Sequence, residues 1–206
     1  MNVTAKIALH LIPEQFKSQT VFLCIDDTMI SKFGTKFENV SKLFDHAAHN
    51  GCNYLNGHCF ASLMLCVPMW NHDKIAYLAV PLGYRMWQKK ESKLELAASM
   101  VRQVMPEFSS QKNVIILCDS WYTKQNLVSI VEEHPNLDLI GNVRADSVIY
   151  DLDPAPTGRK GRPAKHGKPL SADDDFTLSD EKINGYYIGV RRVLTNVFGS
   201  REVLAY

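Results

Sequence analysis

Two short apolar runs, each followed directly by aspartate, most constrain the fold of this 206-residue chain. Val21–Ile30 (VFLCIDDTMI) predicts a buried strand that ends at Asp26, Asp27 and Thr28, and 113–118 (NVIILC) predicts a second strand that ends at Asp119. Continuous β-branched and apolar runs of this length are typical of strands buried on both faces of a sheet. The two runs therefore predict a central sheet that is flanked by helices.

The remaining periodicity predicts a mixed α/β sheet, with antiparallel first strands and then a βαβ pattern. Further strands are predicted at Gly57–Trp70, Lys74–Leu82 and Leu137–Val143, with a hairpin turn at 71–73. Helices are predicted at Glu91–Met105, with Ser92 as N-cap, and at Thr123–Glu133. Residues 31–56 predict loops with at most a short helix. After the proline- and glycine-rich loop at 151–175, a β-rich segment at 176–206 contains candidate strands at 186–190 and 202–206.

Composition excludes several classes of protein. The formal net charge is +1, which excludes a uniformly basic nucleic-acid coat protein but leaves room for a local basic patch. No apolar run approaches the roughly 20 residues that span a bilayer, and no export signal is evident, so we expect no membrane association. Five cysteines without a CxxC pair indicate a reduced, cytoplasmic protein.

The two aspartates form the first candidate site. If the two apolar strands are neighbours, Asp27 and Asp119 converge at the carboxyl edge of the sheet. Two close carboxylates repel each other unless a proton or cation intervenes, and Mg²⁺ is the cation best suited to oxygen ligands. The alternative is that each aspartate only caps a turn after its strand.

Six segments carry a family resemblance. They are IDDT (25–28), FDHAAHNG (44–51), NGHCFASLML (56–65), PLGYR (81–85), LCDSWYTK (117–124) and IGNVRAD (140–146). Together they resemble the IS4-type DDE transposases, in particular the IS701-like branch, from about residue 20 onward. The resemblance implies an RNase H-like core at 21–150 and makes residues 1–20 a remnant of an N-terminal region.

The same resemblance assigns catalytic roles. It makes Asp27 the first metal-binding acid, with Asp26 as the near alternative, and Asp119 the second. The third acid of the family is a glutamate in a Tyr-x-x-Arg-x-x-x-Glu pattern, which this sequence does not contain. We therefore expect a truncated catalytic fragment that cleaves DNA weakly or not at all.

The chemistry implied is two-metal phosphoryl transfer. Two Mg²⁺ (or Mn²⁺) ions about 4 Å apart would hold the attacking and leaving oxygens of a phosphodiester. Nicking at the ends of an insertion sequence is followed by attack of the freed 3′-hydroxyl on target DNA. The expected partners are transposon-end and target DNA, with a second copy or a full-length transposase as a further partner, and the protein would associate with the nucleoid when bound.

A basic loop is the second candidate site. Its five cations are Arg159, Lys160, Arg162, Lys165 and Lys168. The sequence Lys-Gly-Arg-Pro resembles an AT-hook core, which lays arginine into a narrow minor groove. The alternative is a solvated linker that its charges keep extended.

Other residues near the acids remain open to two interpretations. Arg144 is a candidate phosphate contact, and the alternative is an ion pair with an acid such as Asp146. Lys124 is also a candidate phosphate contact, and the alternative is that it belongs to an ordinary helix surface. Trp121 and Tyr122 either stack on a distorted base or pack in the core.

A His/Cys-rich cluster suggests a third possible site. His46, His49, Cys52, His58 and Cys59 could form a zinc site, but their spacing matches no known finger. His46 and His58 match positions of the family without an assignable role.

Two alternative functions stand beside the transposase interpretation. One is a catalytically dead fragment that binds DNA or pairs with full-length transposase and dampens it. The other is an unrelated metal-dependent phosphatase or nuclease with convergent aspartates, which would need no basic loop.

Overall fold

The chain forms two compact units, Met1–Asn142 and Val143–Tyr206, in a computed structural model. The structure describes residues 1–34, 36–45, 53–144, 146–152, 165–171, 175–183 and 185–205. None of the helices in these ranges is both long and apolar enough to cross a membrane.

The first unit contains three α-helices and six strands among its described residues. In chain order they are α1 (Asn2–His10), β1 (Val21–Ser31), β2 (Ser41–Phe44), β3 (Tyr54–Asn71), β4 (Lys74–Met86), α2 (Lys93–Val104), β5 (Val114–Cys118), α3 (Gln125–Glu133) and β6 (Leu137–Gly141). Short 3₁₀ helices follow α1 at Glu14–Phe16 and α2 at Met105–Glu107.

These strands form one mixed sheet in the order β2-β3-β1-β5-β6, with β4 also paired to β3. The pairs β1–β3, β3–β4 and β2–β3 are antiparallel, whereas β5 pairs parallel with both β1 and β6. The hairpin predicted at 71–73 joins β3 to β4. The prediction of a mixed α/β sheet, antiparallel first and βαβ afterwards, is confirmed.

Alternation along β1 decides which of its residues enter the core. Val21, Leu23 and Ile25 are at most 4% exposed and belong to one apolar cluster. Residues of α1, α2 and α3 belong to the same cluster. The helices therefore cover the face of the sheet to which the odd-numbered residues of β1 point.

Helix α2 begins at a complete capping box. The Ser92 hydroxyl accepts a hydrogen bond from the Glu95 amide at 3.1 Å, and the Ser92 amide donates to Glu95 Oε2 at 2.7 Å. The two bonds satisfy amides at the first turn, where helices leave their donors unpaired. The cap predicted at Ser92 is confirmed, and it fixes Lys93 as the first residue of the helix.

Two predictions about the segment around β1 are wrong. This strand does not end at Asp26–Thr28 but continues to Ser31, because β3 pairs with it as far as the Ser31–Gly57 pair. Residues 31–56 were expected to lack strands, yet β2 lies within them. Four residues with only two buried side chains give too little periodicity to indicate a strand, and β2 is stabilised by its pairing with β3.

The second unit is a small antiparallel sheet in the order β10-β9-β7-β8. Its strands are β7 (Ile149–Tyr150), β8 (Pro169–Leu170), β9 (Gly189–Thr195) and β10 (Gly199–Ala205). Leu170, Phe176 and Val193 form its apolar core.

The late strands are therefore displaced from their predicted positions at 186–190 and 202–206. The turn before Gly199, which has a φ of 76°, sets the register of the β9–β10 hairpin and moves both strands. The short strand β8 also lies within the segment predicted to be an irregular loop at 151–175.

We expect Ser92→Ala to lower the free energy of unfolding by about 1 kcal/mol, because the first turn of α2 loses its side-chain cap. Urea denaturation at neutral pH measures the change. Ser129→Ala is the matched control, since the Ser129 hydroxyl lies inside α3 and bonds the Asn126 carbonyl without capping a helix. Equal losses in the two variants would contradict the role of the cap.

Candidate functional site

The parallel ladder between β1 and β5 brings the two acidic segments together. Its last pair is Ile25 with Cys118, so Asp26 and Asp119 are the next residues on the two strands. Because the strands are parallel, both acids follow the ladder at its carboxyl end. The two predicted strands are therefore neighbours, and the acidic segment of each lies beyond the same end of the ladder.

Asp26 and Asp27 point to opposite faces of the sheet. Asp27 continues the buried series of Val21, Leu23 and Ile25, and its side chain is 20% exposed. Asp26 is exposed, and its Oδ1 accepts the Asp27 amide at 2.8 Å. Of the two acids, Asp27 is the one on the face that the helices cover.

Two donors meet one oxygen of Asp27. The ammonium of Lys93 lies 2.5 Å from Oδ2, and the Cys59 thiol donates to the same oxygen at 3.2 Å. Burial of Cys59, and then its hydrogen bond to Asp27, raise the pKa of the thiol to about 11. Cys59 is therefore a neutral donor to Asp27 near pH 7.

Asp119 organises the turn between β5 and α3. Its Oδ1 accepts the amides of Trp121 at 3.0 Å and Tyr122 at 3.2 Å, while its carbonyl accepts the Thr123 hydroxyl at 3.0 Å. This geometry matches the alternative given in the sequence analysis, in which the aspartate caps a turn after its strand. Both amides bond Oδ1 of this exposed side chain, so the turn cap does not use Oδ2.

Tyr122 connects the acids electrostatically. Its ring is fully buried, and its hydroxyl has no hydrogen-bond partner within the described part of the chain. Burial first, and then the charges of Asp27, Cys59, Asp26 and Asp119, raise the pKa of this phenol above its usual value. The burial matches the core-packing alternative for Tyr122, and the three acidic charges act in the same direction as burial, so they favour the neutral phenol.

Trp121 has an exposed ring with one cationic neighbour. Its ring is 38% exposed, and the Lys93 ammonium lies 4.3 Å from the ring centroid. Lys93 therefore contacts both acidic segments, through Asp27 on β1 and through Trp121, two residues beyond Asp119.

Oxygen donors of this kind suit a hard divalent cation, but the set is incomplete. In the part of the chain that the structure describes, no group of three or more His, Cys, Asp or Glu side chains is arranged to hold a metal. The residues that would hold Mg²⁺ are Asp27 and Asp119, with Asp26 as the alternative to Asp27, and they would supply only part of its ligand shell. The buried Tyr122 hydroxyl, unpaired among described residues, fits a site at which a further polar group binds.

The zinc alternative receives no support from the two of its residues that are described. His58 and Cys59 are consecutive on β3 and therefore point to opposite faces. The His58 Nε2 lies 2.7 Å from the Glu38 carbonyl oxygen, whereas Cys59 faces Asp27. His46, His49 and Cys52 lie outside the described residues.

The candidate DNA-binding cations are found in varied settings. Arg144 forms a two-contact ion pair with Asp146, at 3.0 and 2.8 Å, which is the structural alternative named for it. Lys168 lies 2.6 Å from Asp175, while Lys165 is exposed. Lys124 is half-buried at the start of α3. Arg159, Lys160 and Arg162, with the AT-hook-like segment, lie outside the described residues.

Sequence reasoning did not identify Lys93 or Cys59 as neighbours of Asp27. Both contacts join residues far apart in sequence, and only the paired register of β1 with β3 and the docking of α2 create them. One signal was present: a lysine in the first turn of a helix opposes the helix dipole, which favours acids there.

Comparison with known proteins gives one family match. The model of the family described as DDE superfamily endonuclease matches residues 2–186. The search of curated proteins gives no match.

We expect Gly141→Ala to destabilise the turn that carries Asp119. A methyl group at Gly141 on β6 would collide with the Thr123 hydroxyl and lie 3.0 Å from Cys118 Sγ. We expect a loss of about 1 to 3 kcal/mol in the free energy of unfolding, as for other overpacked sites. Urea denaturation measures it.

Gly83→Ala on β4 is the matched control, because the added methyl group meets mainly the flexible Met1 side chain. The expectation fails if Gly141→Ala is as stable as the control.

Proposed function

Because the chain belongs to the DDE superfamily endonucleases, we propose that it is the catalytic part of a transposase that acts on DNA phosphodiesters. The proposed reaction is metal-dependent cleavage and strand transfer at the ends of an insertion sequence. The six segments quoted above favour the IS4-type, IS701-like branch.

One observation carries the proposal: the acidic segments Asp26–Asp27 and Asp119 follow the same end of the β1–β5 ladder. Its context supports an RNase H-like core, because antiparallel strands β4, β3 and β1 lead into the parallel strands β5 and β6. In such an arrangement the carboxyl end of the central parallel pair is where ligands bind. We accordingly favour Asp27 as the first acid and keep Asp26 as its alternative.

The residues that would hold Mg²⁺ or Mn²⁺ are Asp27 and Asp119. When bound, the two ions that the reaction needs supply Lewis-acid stabilisation of the attacking and leaving oxygens. The chain's own contribution is position: the pairing of β1 with β3 holds the backbone at Asp27, and two turn amides orient the Asp119 carboxylate. Both carboxylates therefore reach the substrate already oriented.

The proposed DNA contacts are made by seven cations. Lys124 is the N-cap residue of α3 and is close in sequence to Asp119, and we propose that it contacts a phosphate. We propose the same for Arg144, Lys165 and Lys168, and that Arg159, Lys160 and Arg162 enter a minor groove. Ion pairs such as Arg144 with Asp146 would have to open, so these cations contribute less than free ones.

A second candidate function is favoured by a specific observation. The sequence lacks the Tyr-x-x-Arg-x-x-x-Glu pattern, and the first acid already has a cation, Lys93, beside it. A chain with only the first two catalytic acids of the family would bind DNA, or pair with a full-length transposase or a second copy. It would then lower transposition without cutting DNA.

We expect Asp27→Asn and Asp119→Asn each to weaken Mn²⁺ binding by about tenfold or more, because each removes a charged oxygen ligand. Isothermal titration calorimetry of the 206-residue chain measures the dissociation constant. Asp138→Asn is the control, since Asp138 lies on β6 and its Oδ1 bonds the Leu139 amide. Unchanged binding in both site variants would contradict the metal site.

We expect this chain alone to nick supercoiled DNA weakly or not at all with Mn²⁺, because the sequence does not contain the Tyr-x-x-Arg-x-x-x-Glu pattern that carries the third acid in the family it resembles. A gel assay with the element's own end sequence measures nicking, and filter binding measures DNA affinity against salt. Salt-dependent binding without nicking favours the second function. Robust nicking that Asp119→Asn abolishes would contradict the expected inactivity and favour the first.

A further inference from the structure

Lys93 binds Asp27 where a metal ion would bind it. We propose that the Lys93 ammonium is a built-in competitor for divalent cations at Asp27, and that metal binding displaces it. This inference rests on the proposed function, because it takes Asp27 as a metal ligand.

The contact with Asp27 is close and partly shielded. The ammonium lies 2.5 Å from Oδ2, and both side chains are 20% exposed. The thiol of Cys59 also donates to Oδ2, at 3.2 Å, so this oxygen already has two donors. A divalent cation that binds the same oxygen meets a positive charge within contact distance, and the two cations repel each other.

The position of Lys93 on α2 is costly without this partner. As the first residue of the helix, it places a positive charge beside the positive end of the helix dipole. The capping box at Ser92 and Glu95 holds the helix start in place and keeps the lysine at this point. The Asp27 carboxylate therefore offsets an unfavourable helix position, and Lys93 neutralises an acid among other acids.

A second contact gives the displacement a visible consequence. The ammonium lies 4.3 Å from the centroid of the Trp121 ring, and the Trp121 amide donates to Asp119 Oδ1. Movement of Lys93 away from Asp27 changes the charge next to this indole. Indole emission responds to such a charge, so Trp121 fluorescence reports the displacement without any assay of activity.

Two effects follow from one ammonium. Without metal, Lys93 pairs with Asp27 and reduces the repulsion among Asp26, Asp27 and Asp119. With metal, the same charge lowers the affinity, so the site is filled only at a higher cation concentration.

The test compares Mn²⁺ binding in Lys93→Met and in the unchanged protein by calorimetry. We expect about tenfold tighter binding in the variant. Lys93→Gln keeps a polar side chain without the charge and should also tighten Mn²⁺ binding. It replaces Lys93→Met in the test if the methionine variant folds poorly.

Lys6→Met is the matched control. It removes the same positive charge at a different place, where Lys6 pairs with Glu107 at 3.3 Å. It should leave Mn²⁺ affinity within about twofold of the unchanged protein.

Two further measurements separate displacement from a general charge effect. Mg²⁺, which is not paramagnetic, should change the tryptophan emission of the unchanged protein, and Trp121→Phe should remove that change. Lys93→Met should reduce it, because that variant has no ammonium beside the indole to displace. In EDTA, Lys93→Met should have a lower melting temperature than the unchanged protein, and saturating Mn²⁺ should narrow or reverse the difference.

Unchanged or weaker binding in both Lys93 variants would overturn the inference. The proposed function would still hold in that case, provided that the unchanged protein binds Mn²⁺ and that Asp119→Asn weakens this binding. If neither the unchanged protein nor any Lys93 variant binds Mn²⁺, the proposed function fails and the inference fails with it.

Discussion

Five residues of β1 pair with five residues of β5, and this short parallel ladder joins two segments that are distant in the sequence. Everything described at the candidate site depends on it, because each strand is followed directly by acidic residues. Such pairing closes a long loop and forms only when the apolar side chains of both strands enter a common core. Leu23 on β1 and Ile116 on β5, both fully buried and paired with each other, provide that burial.

Charge is the second constraint on this edge of the sheet. Asp26, Asp27 and Asp119 follow the same end of the β1–β5 ladder, and their charges add to the rise in the pKa of the buried Tyr122 phenol. Lys93 pairs with Asp27 and offsets part of this negative charge, and turn amides donate hydrogen bonds to Asp119.

Sequence reasoning succeeded where short-range patterns dominate. The buried strands, the capped helix after Ser92 and the hairpin at 71–73 are local features, and apolar periodicity or turn residues indicate each one. It failed where pairing partners decide the outcome, as for the extension of β1 to Ser31 and for β2. The Lys93–Asp27 contact could not be predicted, because 66 positions separate its partners and only tertiary packing brings them together. Which of Asp26 and Asp27 faces the helices also required the strand's burial pattern.

The extension of β1 beyond β5 has a mechanical consequence. Asp27 sits within a continuous antiparallel ladder with β3, opposite Ala61, and can shift only if several backbone hydrogen bonds break together. Asp119 sits in a turn that two side-chain contacts and a few local bonds maintain, so it can adjust at much lower cost. The two carboxylates thus differ in compliance: a continuous ladder holds the backbone at Asp27, whereas the turn that carries Asp119 can move at lower cost.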